Sequence, residues 1–227
     1  LPEFRFRYPE IEVQIREGHN RLLFDELESG KVDIVYSAYS MSAMEFTYDL
    51  IYSEPILLAM PADHPLASSM DLSNNSPLTP YYIKPELVRN CDFIVLIPEQ
   101  GMGAIARDMF HKYNLNPNIV METQKHETAM RLASAGMGMV FTPVRTPLRI
   151  PLVKPMAYFS IENPIFTRSR GVYYSKYVPL SEAARCFIHV FNEVYNHESS
   201  LKIPDCHLII PPPPLTIYNF LHAKRAA

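Results

Sequence analysis

The stretch METQKHETAMRLASAGMGMVFTP, Met121 to Pro143, leaves this chain few folds to choose from. Val120-Met121-Glu122-Thr123 closes a strand. His126, Met130 and Ala133 then recur at a spacing near 3.6, with Ala129 and Leu132 widening the apolar stripe, which predicts a helix. Gly136 falls just past its end, where a left-handed C-cap needs no Cβ. The run 137–141 predicts a buried strand, and Thr142-Pro143 stops it. A strand–helix–strand unit this short predicts a parallel pair with the helix on one face. Ligands of such sheets bind at the carboxyl ends of the strands. Those ends are 122–125 and Thr142-Pro143.

A chain of 227 residues can bury a large core, as one large domain or two small ones. A net charge of −3 argues against the chain gripping nucleic acid by itself, which takes clustered Lys and Arg. Cys91, Cys186 and Cys206 are odd in number and far apart. They fit neither a zinc spacing nor a disulfide framework, so a reducing, cytoplasmic setting is expected. No apolar run approaches the roughly 20 residues of a membrane helix, and no signal peptide is recognisable. The chain opens inside a predicted helix without an initiator Met, which reads as an N-terminal truncation.

Leu1, Phe4 and Tyr8 share one helical face, and Pro9 ends that helix. Ile11, Val13 and Ile15 alternate with Glu12, Gln14 and Arg16 as a half-buried strand. Gly18-His19-Asn20 turns the chain, Asn20 can cap the next helix, and Ser29-Gly30 ends it. A strand follows at 32–36. Two extended segments are expected at 46–53 and 54–61, then a turn at His64–Ala67, a loop at 72–80 and a short helix at 85–89. The run 93–97 reads as a strand buried on both faces. Gln100-Gly101-Met102-Gly103 reads as a turn opening a helix at 104–113. Short extended runs are expected at 119–123, 150–153, 157–161 and 171–175, and Ser181 caps a last helix to 196. The alternation predicts an α/β fold. Pro211–Pro214 favour polyproline II, so 201–227 is expected to be a poorly packed appendage or a reading-frame artefact, with a proline-rich docking peptide as the alternative.

Four blocks in order carry a family resemblance: LPEFRFRYPEIEVQIREG, LFDELESGKVDIVYS, PILLAMPADHPLA, and GMGAIARDMFHKYNLNPNIVMETQKHETAMRLASAGMGMVFTP. From residue 1 to about 196 the chain resembles the effector-binding domain of LysR-type transcriptional regulators. The resemblance implies a type 2 periplasmic-binding-protein-like fold, with two Rossmann-like α/β subdomains joined by two crossing strands and a small molecule bound between them. Subdomain I would be 1–64 plus 169–200 and subdomain II 65–168, with hinges near 59–65 and 168–173. It further implies self-association to a dimer or tetramer through Leu1–Tyr8, Leu22–Leu27 and the helix from Ala104. DNA would be contacted only through an N-terminal helix-turn-helix that this chain lacks. The family's first strand and its polar loop also have no counterpart here.

The ligand site follows from the same elements. The amides of Gln100, Gly101, Met102 and Gly103 precede a helix, and such a terminus attracts a carboxylate or phosphate, so an anionic effector is expected. Asn20 matches a family position that contacts effectors. Thr123, Gln124, Thr142 and Pro143 lie at strand carboxyl ends in subdomain II, and Tyr36 and Ser37 do so in subdomain I. Each has a plainer reading. Gly101 and Gly103 can serve a tight turn alone, Asn20 a helix cap and Thr142 a strand end; Lys125 could pair an anionic ligand, but an exposed lysine at a helix start is ordinarily solvated. No cofactor or metal is implied.

Catalysis finds little support. His19, His64, His111 and His126 are dispersed, Cys91 has no evident partner, and neither HExxH nor GxSxG occurs. The GMG segment lacks the spacing of a dinucleotide fingerprint. The expected function is therefore effector sensing in a bacterial transcription regulator, not an enzyme. The rival is a periplasmic-type solute-binding protein of a transport system.

Overall fold

The structure is a computed structural model that describes residues 1–38, 46–162, 165–199 and 222–225. These form two compact units. The first takes the described residues of Leu1–Ser53 and Ser169–Lys202 with those at 222–225, and the second takes those of Glu54–Arg168. The chain crosses between them after Ser53 and after Arg168. The first crossing falls earlier than 59–65, because the chain beyond Glu54 is already core strand of the second unit.

In the first unit, α1 (Pro2–Arg7) buries Phe4 against α6 (Glu182–Ser199), the Phe4 and Phe187 rings meeting edge-on with centroids 5.1 Å apart. Ser181 caps α6 as expected, its Oγ accepting the Ala184 N–H at 3.1 Å. Strand β1 (Ile11–Gln14) leads to α2 (Asn20–Glu28). Asn20 is not the cap of α2. His19 is, its Nδ1 accepting the Leu22 N–H at 3.3 Å. Asn20 sits one residue inside the helix, so its carboxamide is released from capping. Strand β2 (Val35–Ser37) pairs antiparallel with β9 (Thr167–Ser175), Val35 opposite Tyr173. The tail 201–227 lies outside the described residues except for β10 (His222–Arg225), which pairs antiparallel with β1.

In the second unit, β3 (Phe46–Pro61) enters without a break where two segments were expected. Pro55 costs the strand only a donor, and its carbonyl still accepts the Val144 N–H at 3.0 Å. Ile56–Met60 are all buried. Strand β7 (Val140–Pro143) pairs antiparallel with one edge of this run, and β8 (Met156–Ser160) with the other. The short β4 (Tyr81–Tyr82) lies parallel to β8. Strands β5 (Asp92–Leu96) and β6 (Asn118–Thr123) are parallel neighbours. Met139, just before β7, bridges β5 in parallel, with Ile94 N–H to Met139 O and Met139 N–H to Asp92 O both at 2.8 Å. The order is thus β4-β8-β3-β7-β5-β6. The strand–helix–strand unit does not form an adjacent pair: β6 and β7 flank β5, and α5 (His126–Ser134) crosses it. The run 150–153 forms no strand.

Helix α5 ends as its sequence predicts. Gly136 takes φ +101°, its N–H reaching Ala133 O at 2.9 Å and the Met137 N–H reaching Leu132 O at 3.2 Å, a Schellman pair. Helix α3 (Pro65–Ser68) repeats the device of α2, with His64 Nδ1 accepting the Leu66 N–H at 3.2 Å.

Glu54 and Arg168, the first and last described residues of the second unit, form a buried ion pair at 3% and 7% side-chain exposure. Arg168 Nε and Nη2 both donate to Glu54 Oε1, at 3.0 and 2.8 Å. Removing one partner takes this counter-charge from the other in a low-dielectric interior. Glu54→Ala is expected to cost about 3 to 5 kcal/mol in urea unfolding, and the double change Glu54→Met, Arg168→Met to recover most of that. A single-variant loss under about 1 kcal/mol would show the pair to be solvated.

A second expectation concerns pH. Burial lowers the His64 pKa, against the neighbouring Asp63 and Asp92, which raise it. The folded state then takes up a proton less readily than the unfolded chain, whose histidines titrate near about 6.5. The stability due to neutral His64 is complete above that value and is lost as pH falls through the depressed folded value. Lowering the pH from about 7.5 to about 5 should lower the melting temperature less in His64→Asn, which still caps but does not titrate there.

Candidate functional site

The second unit contains a topological switch point. From β5 the chain passes through α4 (Gly101–Lys112) to β6 on one side, then back through α5 to β7 on the other. Right-handed crossovers running in opposite directions place α4 and α5 on opposite faces of the sheet. The carboxyl ends of β5 and β6 are then where a ligand is expected. The Ile97 N–H donates to Thr123 O at 3.0 Å and ties these ends together.

Helix α4 begins three residues earlier than its sequence suggested. Gln100 is its N-cap, so Gly101, Met102 and Gly103 are its first turn and not a loop before it. Gly103 explains the difference. A Cβ there would lie 2.0 Å from Ile97 O and 2.6 Å from Leu96 O, so only glycine lets the turn press onto the end of β5. The Gln100 side chain makes no capping bond. The N–H groups of Gly103 and Ala104 return to Gln100 O at 2.8 and 3.1 Å. Those of Gly101 and Met102 remain at the helix end, where the dipole favours an anion. The Met102 side chain is itself core, leaving only its backbone for a ligand.

Arg107, one turn on, went unnoticed in the sequence. Its Nη1 donates to Leu96 O at 2.8 Å and Gly103 O at 2.9 Å, and its Nη2 to Glu122 at 2.6 Å. One guanidinium thus joins β5, the first turn of α4 and β6. Its place four residues after Gly103 was the available signal.

Around the second helix start, Thr123 Oγ1 accepts the Lys125 N–H at 3.4 Å, and no side chain caps α5. Gln124 and Lys125 are exposed. Thr142 and Pro143 are not at this edge as free groups. Thr142 is wholly buried, its hydroxyl donating to Pro143 O at 3.2 Å and lying 3.0 Å from His126 Nε2. With its only proton committed, Thr142 accepts from His126. His126 is a strut between α5 and β7.

In the first unit, Ser37 and Asn20 meet and Tyr36 does not join them. Successive strand residues face opposite ways. Ser37, 7% exposed, donates from Oγ to Asn20 Oδ1 at 2.9 Å. Tyr36 turns to the α6 side, edge-on to Phe191, with its hydroxyl 3.2 Å from that of Tyr52. Burial, then Tyr52, raises its pKa well above the usual phenol value, so it stays neutral.

An open groove of about 910 Å³ lies elsewhere on the second unit, bordered by Tyr82, Lys84, Glu86, Lys112, Tyr113 and Glu162. It adjoins the C-terminal end of α4, about 18 Å along that helix from Gln100 at 1.5 Å per residue. None of the expected ligand residues lines it, and the Lys112–Glu162 ion pair at 2.7 Å occupies part of its wall. Among the described residues no group of three or more His, Cys, Asp or Glu is placed to hold a metal ion. No helix of the described residues is long and apolar enough to cross a membrane. Burial raises the Cys91 thiol pKa, the opposite of nucleophile activation.

Two α/β units joined by two strands make up the type 2 periplasmic-binding-protein-like fold. The chain belongs to the family described as the LysR substrate binding domain, whose model matches residues 1–196. It is 27% identical over 143 residues to the HTH-type transcriptional regulator YybE of Bacillus subtilis (strain 168), covering 63% of this chain and 45% of that protein. The fold matches the Synechocystis PCC6803 CcmR regulatory domain in complex with 2-PG (TM-score 0.71, 17% identity, 86% of this chain and 88% of that one). It also matches the BenM effector binding domain with its effector benzoate (TM-score 0.71, 16% identity, 90% and 87%). The chain spans about half the length of the curated relatives it matches.

Gly103→Ala tests the close approach on which the α4 terminus depends. With backbone oxygens this near, the helix has to shift, and a loss of at least about 2 kcal/mol is expected in denaturant unfolding. A neutral substitution would mean that the first turn does not rest on β5.

Proposed function

We propose that this chain is the effector-sensing portion of a cytoplasmic DNA-binding transcription regulator. It acts without catalysis, and its two units serve as the two effector-binding subdomains. The observation that carries the reading is the start of α4. Two backbone amides and a Gln100 side chain without a capping role stand at the carboxyl end of a parallel strand. Thr123 and Gln124 lie at the neighbouring strand end. These groups suit a small anion. The BenM domain binds benzoate, a carboxylate, which supports that class. A ligand that prefers one arrangement of the units shifts the population toward it, and the linked DNA-binding partner reads the shift. Self-association to a dimer or tetramer is part of the reading. Phe6 on α1 and Leu22 on α2 expose 84% and 42% of their surface, in the segments proposed for it.

The test is a thermal-shift and calorimetric screen of small carboxylates and phosphates, with Gln100→Ala and Gly101→Pro alongside. Proline at the first helical position removes one amide and keeps the helix, and Gln100, at φ −85° and ψ 136°, already has the backbone a following proline requires. An anion at about 100 times its Kd stabilises the native state by about 2.7 kcal/mol. Gly101→Pro should weaken it about tenfold while the ligand-free melting temperature holds. Anion binding equally tight in both variants would place the site elsewhere.

A further inference from the structure

We propose that the open groove on the second unit is a separate small-molecule site, suited to a zwitterion that carries an aromatic side. Two strand ends and the last turn of α4 build it. The Ile83 N–H donates to Ser160 O at 2.9 Å and holds the end of β4 beside the end of β8. Just past β8, Ser160 Oγ accepts the Glu162 N–H at 3.1 Å, and the Glu162 carboxylate meets Lys112 at 2.7 Å. Lys112 Nζ also lies 5.3 Å from the centroid of the Tyr113 ring, over its face. This part of the border is already satisfied. The Glu162 side chain is 13% exposed, and Lys112 takes up both its charge and one face of Tyr113.

The rest of the border is not. Pro85 confines the residue before it to extended backbone, and Lys84 takes φ −65° and ψ 130° there. Pro85 also opens the short helical turn Pro85–Val88 that carries Glu86. Lys84 and Glu86 are both exposed and both border the groove. Among the described residues neither side chain has a hydrogen-bond or ion-pair partner, and they do not pair with each other. A ligand with a single charge would meet a like charge here, an anion at Glu86 and a cation at Lys84. A ligand that brings both signs satisfies both. Beside them Tyr82 leaves 54% of its surface exposed, an apolar face with a polar tip. An aromatic α-amino acid has the matching form, with carboxylate and ammonium on one carbon and a ring close by. At about 910 Å³ the groove has room for it. The groove adjoins the end of α4 remote from Gln100, so it stands independently of the anion reading of that helix start.

The test is calorimetry on the full chain with L-phenylalanine, with hydrocinnamate, which lacks the ammonium, and with phenethylamine, which lacks the carboxylate. Wild type should bind L-phenylalanine, and each analogue about fivefold more weakly, the scale of one solvent-exposed ion pair. Lys84→Gln should weaken L-phenylalanine and hydrocinnamate about fivefold and leave phenethylamine unchanged. Glu86→Gln should weaken L-phenylalanine and phenethylamine and leave hydrocinnamate unchanged. Tyr82→Ala should weaken all three. These three side chains are exposed, so the variants keep the fold, which an unchanged melting temperature checks. Gln100→Ala and Gly101→Pro should leave L-phenylalanine binding as it is. No binding of L-phenylalanine at about 10 mM overturns the inference. So does equal affinity for the three ligands, or an L-phenylalanine affinity that neither charge variant changes. Loss of L-phenylalanine binding in the Gln100 and Gly101 variants would place that ligand at the start of α4, overturning the groove as its site and leaving the proposed function intact.

Discussion

The buried Glu54–Arg168 pair is the constraint on which the rest depends. Two charges at 3% and 7% exposure are held at a cost, because neither keeps its water. The geometry offsets that cost: two guanidinium nitrogens converge on one carboxylate oxygen. Beside it the Ile56 N–H donates to Phe166 O at 2.9 Å. Together these fix the register of β3 against β9 where the chain enters and leaves the second unit. Register decides which residues each unit receives. The buried run Ile56–Met60 goes to the second core, and Val172 and Tyr173 go to the first. A slip of one residue would turn every one of these side chains to the opposite face and into a different set of neighbours.

Around the candidate site, stability and function draw on the same atoms. Gly103 is required because its turn lies on the carbonyls of β5, and that contact delivers the Gly101 and Met102 amides to the strand end. Arg107 satisfies two of the surrounding carbonyls and holds Glu122 as well. The dispersed histidines become intelligible in the same way. His19 and His64 cap helices and His126 braces Thr142. Three residues of a type often recruited for catalysis are spent here on local hydrogen bonds.

The sequence made the α/β class legible, because periodic apolar runs broken by glycine and proline depend only on local rules. The C-cap at Gly136 and the N-cap at Ser181 followed from the same rules. What it hid was long-range pairing. Nothing local says that Met139 pairs with β5 while Val140 turns to β3, or that β3 runs on through Pro55. The start of α4 was misplaced because glycine in a first turn looks like loop until a neighbouring strand is known to need the space. Asn20 outranks His19 as a cap by propensity, yet the imidazole does the capping. Tyr36 and Ser37 could have been separated from sequence, since adjacent strand residues face apart. Which face carries Asn20 is a tertiary fact. Thr142 illustrates the same limit: its position at a strand end was readable, its burial was not.

The anion site proposed at the start of α4, made of amides rather than lysine or arginine, suits a sensor. Lys125 is exposed, and the nearby Arg107 is committed to carbonyls and to Glu122. Neutral donors bind an oxyanion through a few directional bonds, each modest in net energy. They depend on angle more than a point charge does. A change in the arrangement of the donors therefore changes affinity, and that differential is the only means by which a ligand shifts a conformational equilibrium. A lysine would hold the anion in many geometries and discriminate less between them. Reliance on the helix start, in the proposed site, gives up affinity and ties what affinity remains to the conformation of the protein.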